Sequence, residues 1–329
     1  MEKKRYIIAI AAGGDSGEYE ISLKSAAVVK KHLDPGRMES YLVIIRGNDW
    51  KISLEDGTTW PVDRNDFSAD LPGRTIKFDG VFIAVHGTPG EDGKLQGYFE
   101  MLNIPYTSCD SLTSALTFDK FFCNHFAKSF GVNVSRSIVI NRGDDIPEKE
   151  ILTRINLPFF VKPDRGGSSV GTSKVKTPDQ LAAALQMAFR EDSRVMLEEH
   201  IPGRELSCGT ITYKGKIMTL PITEIISRKE FFDYEAKYEG MSDEVTPADI
   251  PDHVAREISD TSVRLYQLMN CRGMVRFDYI LNDTRLFFLE VNTVPGMSEL
   301  SIVPQQAMKA GISLKDLFTE TMLGALNAR

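Results

Sequence analysis

Short apolar runs alternate with segments of helical period along the first third of the chain. An unbroken apolar run over 6–11 reads as a buried strand, 20–32 as a helix, 41–45 as a second strand and 80–85 as a third. Beyond a loop, Leu95, Tyr98, Phe99 and Leu102 fall on one face of a further helix. Strand, helix and strand in that order predict βαβ units around a parallel sheet, hence an α/β chain. The polar stretch 46–77, with Trp50 and Trp60, reads as an inserted hairpin with long loops.

The middle third predicts one helix over 112–130 closed by Gly131, strands over 137–140 and 159–162, a Gly-rich turn and a strand over 172–175. Thr177-Pro178-Asp179-Gln180 combines an N-cap, Pro at the first helical position and Gln three residues after the cap, opening a helix through 190. Leu181, Leu185 and Phe189 give it an apolar face. A strand over 195–199 runs into Ile201-Pro202-Gly203, a linker between two lobes. The last third predicts strands over 206–212, 217–226, 274–281 and 286–292 around a helix over 252–269. Residues 227–249 are polar and aromatic with no clean period, and so long a loop is more often functional than structural.

Length changes this picture little: 329 residues suggest about two domains. Hydrophobic content of 42% with 26% charged residues excludes disorder, a collagen-like repeat and a small disulfide scaffold. The 39 Lys and Arg against 46 Asp and Glu leave a formal charge of −7 without a basic block, which argues against a nucleic-acid partner. An anionic ligand must then be met by local cations. Cys109, Cys123, Cys208 and Cys271 stand far apart without metal-ligand spacing and read as buried thiols of a reducing compartment. No apolar run approaches the roughly 18 residues needed to span a bilayer, so the expectation is a cytoplasmic protein with no membrane partner.

Chemistry concentrates in four places. Lys162-Pro163-Asp164-Arg165-Gly166-Gly167-Ser168-Ser169-Val170-Gly171 offers backbone N–H groups, hydroxyls and a cation to phosphates. It lacks a Walker A ending and joins two strands instead of opening a helix; taken alone it is as readily a plain turn. On the last two strands Arg276 and Asp278 share one face, and Glu290 and Asn292 share one face. A turn at Asn282-Asp283 could bring Asp278 near Glu290, and three such oxygen donors beside phosphates suit Mg²⁺. The loops from Gly13 to Ser22 and from His86 to Gly93 each follow a strand, where α/β sheets bind ligands. Glu18 could pair with an ammonium, or only compensate a helix dipole.

The order Gly-Gly-x-Ser-x-Glu-x-Glu-Ile-Ser-Leu from Gly13, His-Gly-x-x-Gly-Glu-Asp-Gly-x-Leu-Gln-Gly from His86, Lys-Pro-x-x-x-Gly-Ser-Ser-Val-Gly from Lys162, Tyr-Glu-Ala-Lys-Tyr from Tyr234, Arg-x-Asp from Arg276 and Glu-Val-Asn-Thr-x-Pro-Gly-Met-Ser from Glu290 resembles the D-alanine:D-alanine ligases of the ATP-grasp superfamily. The resemblance runs the full length. The lysine loop and the Glu-x-Asn strand recur across the superfamily, whereas the first two motifs and Tyr-Glu-Ala-Lys-Tyr are specific to these ligases.

The resemblance implies an α/β chain, α+β overall. A Rossmann-like N-terminal lobe (1–112) would precede a two-lobe ATP-grasp fold, with a central lobe (113–203) and a C-terminal lobe (204–329) carrying the metal site and a mobile loop. It implies ATP-dependent joining of two D-alanines through an acyl phosphate, for peptidoglycan precursor synthesis. Lys120, Lys162 and Lys237 would meet the phosphates of ATP under the loop containing Gly167, Ser168 and Ser169. Glu198, Glu199 and Ile201 would hold adenine and Glu205 the ribose, while Asp278, Glu290 and Asn292 would bind two Mg²⁺, with Mn²⁺ able to substitute. Glu18 and His86 would seat the first D-alanine, and Ser301 and Ile302 the carboxylate of the second. Arg276 and the Gly296 N–H would face the oxyanion, and Ser168, Tyr238 and Glu18 would tie the loop shut. A homodimer is also implied. Tyr238 favours an amine acceptor over the D-lactate of relatives that carry His or Phe there; D-lactate or D-serine is the alternative acceptor. A regulator that has lost catalysis is disfavoured, because the Lys, Arg and acidic sets are complete.

Overall fold

The computed structural model describes residues 5–144, 146–227 and 242–328. The first apolar run forms β1 (Tyr6–Gly13), followed by α1 (Tyr19–His32) and β2 (Met38–Arg46). Strands β3 (Asp49–Ser53) and β4 (Thr59–Pro61) extend the sheet antiparallel from β2, while β5 (Ser68–Leu71) and β6 (Arg74–Lys77) form a separate hairpin. Next come β7 (Gly80–Ile83), α2 (Lys94–Met101) and α3 (Ser111–Phe118). Strand β1 pairs in parallel with β2 on one side and β7 on the other. That reversal of strand order opens a crevice beyond the carboxyl ends of β1 and β7, where the loops bearing Glu18 and His86 meet. Gly13 is required at the rim: its φ is +100°, and a Cβ would lie 2.5 Å from the Ile45 carbonyl oxygen.

The second sheet is antiparallel. It follows α4 (Lys120–Ser129) and contains β8 (Ser137–Asn141), β9 (Phe159–Pro163), β10 (Ser173–Val175) and β11 (Arg194–Glu199), with α5 (Glu148–Arg154) and α6 (Leu181–Glu191) between them. The third comprises β12 (Arg204–Tyr213), β13 (Lys216–Thr219), β14 (Thr223–Ser227), β15 (Ser242–Val245), β16 (Met274–Asn282) and β17 (Arg285–Asn292), with α7 (Asp252–Leu268) before β16. Helices α8 (Ile302–Lys309) and α9 (Leu314–Asn327) close the chain. Val303, Ala307, Leu317, Phe318 and Met322 from these two helices share one core with Ile8, Ile10 and Phe82 of the first sheet. Phe82 and Phe318 meet edge to face at 5.9 Å, and burying each ring contributes roughly 2 kcal/mol. The C-terminal end therefore holds the first sheet against the third.

Three elements depart from the sequence pattern for identifiable reasons. The helix expected over 112–130 is two helices, because Asp119 leaves the helical region (φ −85°, ψ 103°) and its side chain accepts the Phe122 N–H as the cap of α4. The strand expected over 217–226 is also two: Pro221 has no N–H for the ladder, and pairing with β12 shifts from β13 to β14. The Thr177 capping box is present, but its first turn is 3₁₀, and α6 starts at Leu181. The hydrophobic pattern did not single out α5, α8 or α9. All four cysteines are buried free thiols, and no helix among the described residues is long and apolar enough to cross a membrane.

Candidate active site

A cleft of about 990 Å³ is lined by residues from the second and third sheets, from α1 and from the loops beyond β1 and β7. It receives Glu18, His86, Lys120, Lys162, Gly167, Ser168, Ser169, Glu198, Glu199, Ile201, Glu205, Arg276, Glu290, Asn292, Gly296, Ser301 and Ile302. Of the residues expected at the site, Asp278 lies just behind the wall, and Lys237 and Tyr238 fall outside the described residues.

Glu18 Oε1 accepts the Ser168 hydroxyl at 2.5 Å, joining the loop before α1 to the glycine loop. The loop connects β9 to β10, and Ser168 and Ser169 both sit at positive φ (52° and 58°), a strained conformation for non-glycine residues. Gly167 passes so close that a Cβ would stand 2.6 Å from Glu18 Oε2. Gly167→Ala should therefore push the loop off Glu18. We expect at least a tenfold loss of turnover with little change in melting temperature, checked by steady-state kinetics and thermal denaturation. His86 is more committed than the sequence suggested. Its Nδ1 donates to the Val294 carbonyl at 2.9 Å, which makes Nε2 the acceptor of the Ser25 hydroxyl at 2.9 Å. Burial drives its pKa down, with Glu18 opposing. Both ring nitrogens are thus occupied within the protein, tying His86 to α1 and to the Val294 segment.

The break at Asp119 puts Lys120 on the first turn of α4, from which Nζ reaches the Gly166 carbonyl at 2.6 Å. Lys162, on β9, pairs with Glu198 of β11 at 2.5 Å. Burial opposes the Lys162 charge, yet Glu198 holds its pKa above the ordinary lysine value. Glu198 is 2% exposed and also accepts Asn124 Nδ2 at 3.3 Å, so its carboxylate is committed to Lys162. Glu199 turns its side chain to Asn156, at 2.8 Å from Nδ2 and 3.1 Å from the backbone N–H. These two glutamates offer the cleft mainly their backbone, followed by Ile201 of the linker; Glu205 comes from the start of β12.

Antiparallel register pairs Asp278 with Glu290 and Arg276 with Asn292. The Asp278 carboxylate accepts Ser207 Oγ at 2.6 Å, Arg276 Nη2 at 2.8 Å and Asn292 Nδ2 at 3.1 Å. Burial disfavours the Arg276 charge, but Asp278 more than offsets this and raises its pKa. Two carboxylates and a carboxamide fit a hard divalent cation: Glu290 lines the cleft, and Asn292 turns its nitrogen to Asp278, leaving its oxygen on the other side of the amide. Across the cleft, Ser301 stands at the N-cap position of α8 without a side-chain cap bond and Ile302 is the first residue, so the helix N-terminus presents N–H groups suited to a carboxylate. Gly296 packs against the Ser301 hydroxyl; a Cβ there would be 2.7 Å from Oγ.

Sequence reasoning left out Glu91, Asn124 and Ser207. Glu91 stands in the His-Gly motif beside Asp92 with nothing local to set it apart, and Asn124 and Ser207 carry no local signal, because their partners Glu198 and Asp278 are 74 and 71 residues away.

Two family models match, D-ala D-ala ligase N-terminus over residues 7–109 and D-ala D-ala ligase C-terminus over 126–323. A D-alanine–D-alanine ligase of Bacteroides fragilis is 44% identical over 314 residues, covering 95% of this chain and 97% of that protein. Another, of Christiangramia forsetii, is 45% identical over 329 residues and the whole of both chains. Among solved structures, the VanG D-Ala:D-Ser ligase from Enterococcus faecalis superposes with a TM-score of 0.87 at 31% identity, covering 98% of this chain and 100% of that one. D-alanyl-alanine synthetase A from Vibrio cholerae gives 0.87 at 27% identity, covering 99% of each.

Proposed function

The chain belongs to the D-alanine:D-alanine ligase family, and from that premise we propose that it joins two D-alanines into D-alanyl-D-alanine, with ATP cleaved to ADP and phosphate, as a step in making cell-wall peptidoglycan precursors. The observation that carries the reading is one cleft in which Lys120, Lys162 and Arg276 converge with Glu18 and the N-terminus of α8. It offers cations for phosphates, a carboxylate for an ammonium and helix N–H groups for a carboxylate. The −7 overall charge is no obstacle, because the cations are local.

A carboxylate is a poor acyl donor. Transfer of the terminal phosphoryl group of ATP to the carboxylate of the first D-alanine gives an acyl phosphate; the amine of the second attacks the acyl carbon, loses a proton and expels phosphate. Catalysis of this kind is positioning plus charge neutralisation. Lys120, Lys162 and Lys237 would hold phosphates, Glu18 the first ammonium, and Ser301 with the Ile302 N–H the second carboxylate. Arg276 and the Gly296 N–H would stabilise the oxyanion. Ser168, bonded to Glu18 at 2.5 Å, would join Tyr238 in holding the loop over the intermediate and excluding water. Backbone groups of Glu198, Glu199 and Ile201 would take adenine and Glu205 the ribose. Asp278, Glu290 and Asn292 would hold two Mg²⁺, or Mn²⁺, which when bound neutralises phosphate charge. The lobes 1–112, 113–203 and 204–329, a homodimer and a cytoplasmic location belong to the same proposal.

With ATP, Mg²⁺ and D-alanine, phosphate release should match dipeptide one to one. Absence of D-alanine-dependent phosphate release would sink the reading. D-lactate or D-serine as acceptor is not favoured, since the relatives at 44–45% identity bear the D-alanine name; a mixed-acceptor assay dominated by depsipeptide would reverse that choice.

A further inference from the structure

Glu91 reaches the cleft from the loop before α2 and bridges two parts of the molecule. Its Oε2 accepts the Gly87 N–H at 2.8 Å, and its Oε1 accepts the Val294 N–H of the segment after β17 at 3.2 Å. Glu18 approaches the same glycine from the loop before α1: a Cβ on Gly87 would stand 3.1 Å from Glu18 Oε2. Two carboxyl groups thus flank one small residue, and both glutamates line the cleft.

The charged and titratable groups facing Glu91 do not balance it. Glu18 adds a like charge, Arg276 on β16 is held by Asp278 at 2.8 Å, and His86 in its own loop is neutral with both nitrogens bonded. Burial, then the Glu18 charge, push the Glu91 pKa up to about 8, against the two backbone N–H bonds and Arg276. Near neutral pH the Glu91 carboxyl therefore holds a proton until a cation arrives.

We propose that Glu91 is the second carboxylate of the seat for the first amino acid's ammonium group, and that it releases its proton to solvent as that ammonium settles beside Glu18. The inference rests on the proposed ligase reading and adds a proton-linked positioning residue to it. The proton leaves the Glu91 carboxyl, the ammonium keeps its own three, and no covalent bond changes.

The test is calorimetry of D-alanine binding, with a non-hydrolysable ATP analogue and Mg²⁺ present, in buffers of different ionisation enthalpy. For the wild-type protein, close to one proton should be released per ammonium seated at about pH 7, fading as pH rises through about 8, where Glu91 is already ionised before binding. Glu91→Gln should lose that release and weaken D-alanine binding about tenfold or more. Equal proton release from wild type and Glu91→Gln overturns the proposal. If the variant fails to fold, the wild-type series decides alone: buffer-independent heats overturn the proposal, and a release that fades with a midpoint near pH 8 supports it. A wild type that makes dipeptide yet releases no proton removes only the role of Glu91. A wild type that neither binds D-alanine nor makes dipeptide removes the ligase reading, and this inference with it.

Discussion

Arg276→Met is expected to cost the fold about 3–5 kcal/mol and to slow dipeptide formation in the folded fraction by about 10²–10³. Asp278 is 2% exposed, and its carboxylate depends on Arg276 through Nε at 3.0 Å and Nη2 at 2.8 Å. Methionine fills much of the same volume but leaves the carboxylate with Ser207 and Asn292 as its remaining side-chain partners, a buried charge without a counter-charge. The kinetic loss has a separate origin, since in the proposed reaction the guanidinium would also face the acyl oxygen where negative charge develops. Arg276→Lys separates the two effects. An ammonium restores the charge but not the two-point grip on Asp278, so stability should recover more than turnover. Thermal denaturation and phosphate release on the three proteins check both parts; an Arg276→Met protein that melts like wild type would refute the buried-pair argument.

Local chemistry was the legible part of this site. Alternation on the last two strands, with a turn at Asn282-Asp283, anticipated the register that sets Asp278 opposite Glu290. The Gly13 and His86 motifs followed strands in the sequence, and both loops line the crevice beside β1. What the pattern missed depends on partners far along the chain or on a single backbone choice. Nothing in the run 112–130 marks a helix break, because Asp119 is compatible with a helix interior as well as a cap; the break shows only in its dihedrals and its bond to the Phe122 N–H. That break matters for the chemistry, since it gives Lys120 a helix start from which to reach Gly166.

Distance in sequence hid the rest. The Nδ1 partner of His86 is the Val294 carbonyl, 208 residues away, which no local pattern marks. Glu91 is used by the same Val294 residue through its N–H. The segment after β17 is thus contacted twice by the loop after β7, and α8 and α9, which follow it, pack into the core of the first sheet. Sequence arithmetic suggested about two domains, yet the first and third sheets share one hydrophobic core, so the inner wall of the cleft is fixed by packing at both ends of the chain.

Lys162→Met is expected to raise the KM for ATP by about 10–100-fold, the equivalent of one charge-assisted contact to phosphate, and to destabilise the protein by about 3 kcal/mol through the Glu198 it strands. The Lys162 and Glu198 side chains are 13% and 3% exposed and meet at 2.5 Å, so solvent does little to screen the pair. Without the ammonium, Glu198 keeps Asn124 Nδ2 at 3.3 Å, too little to hold a buried charge. Pairing the change with Glu198→Gln separates binding from folding. Neutralising the stranded carboxylate should return most of the lost stability, because the burial penalty disappears, while the KM for ATP stays high, because nothing replaces the cation at the phosphates. Melting curves and ATP titrations on wild type, both single variants and the double variant close the cycle. If Lys162→Met and the double variant melt at the same temperature, the stranded-charge account fails; if the double variant regains ATP affinity, Lys162 is not the phosphate contact.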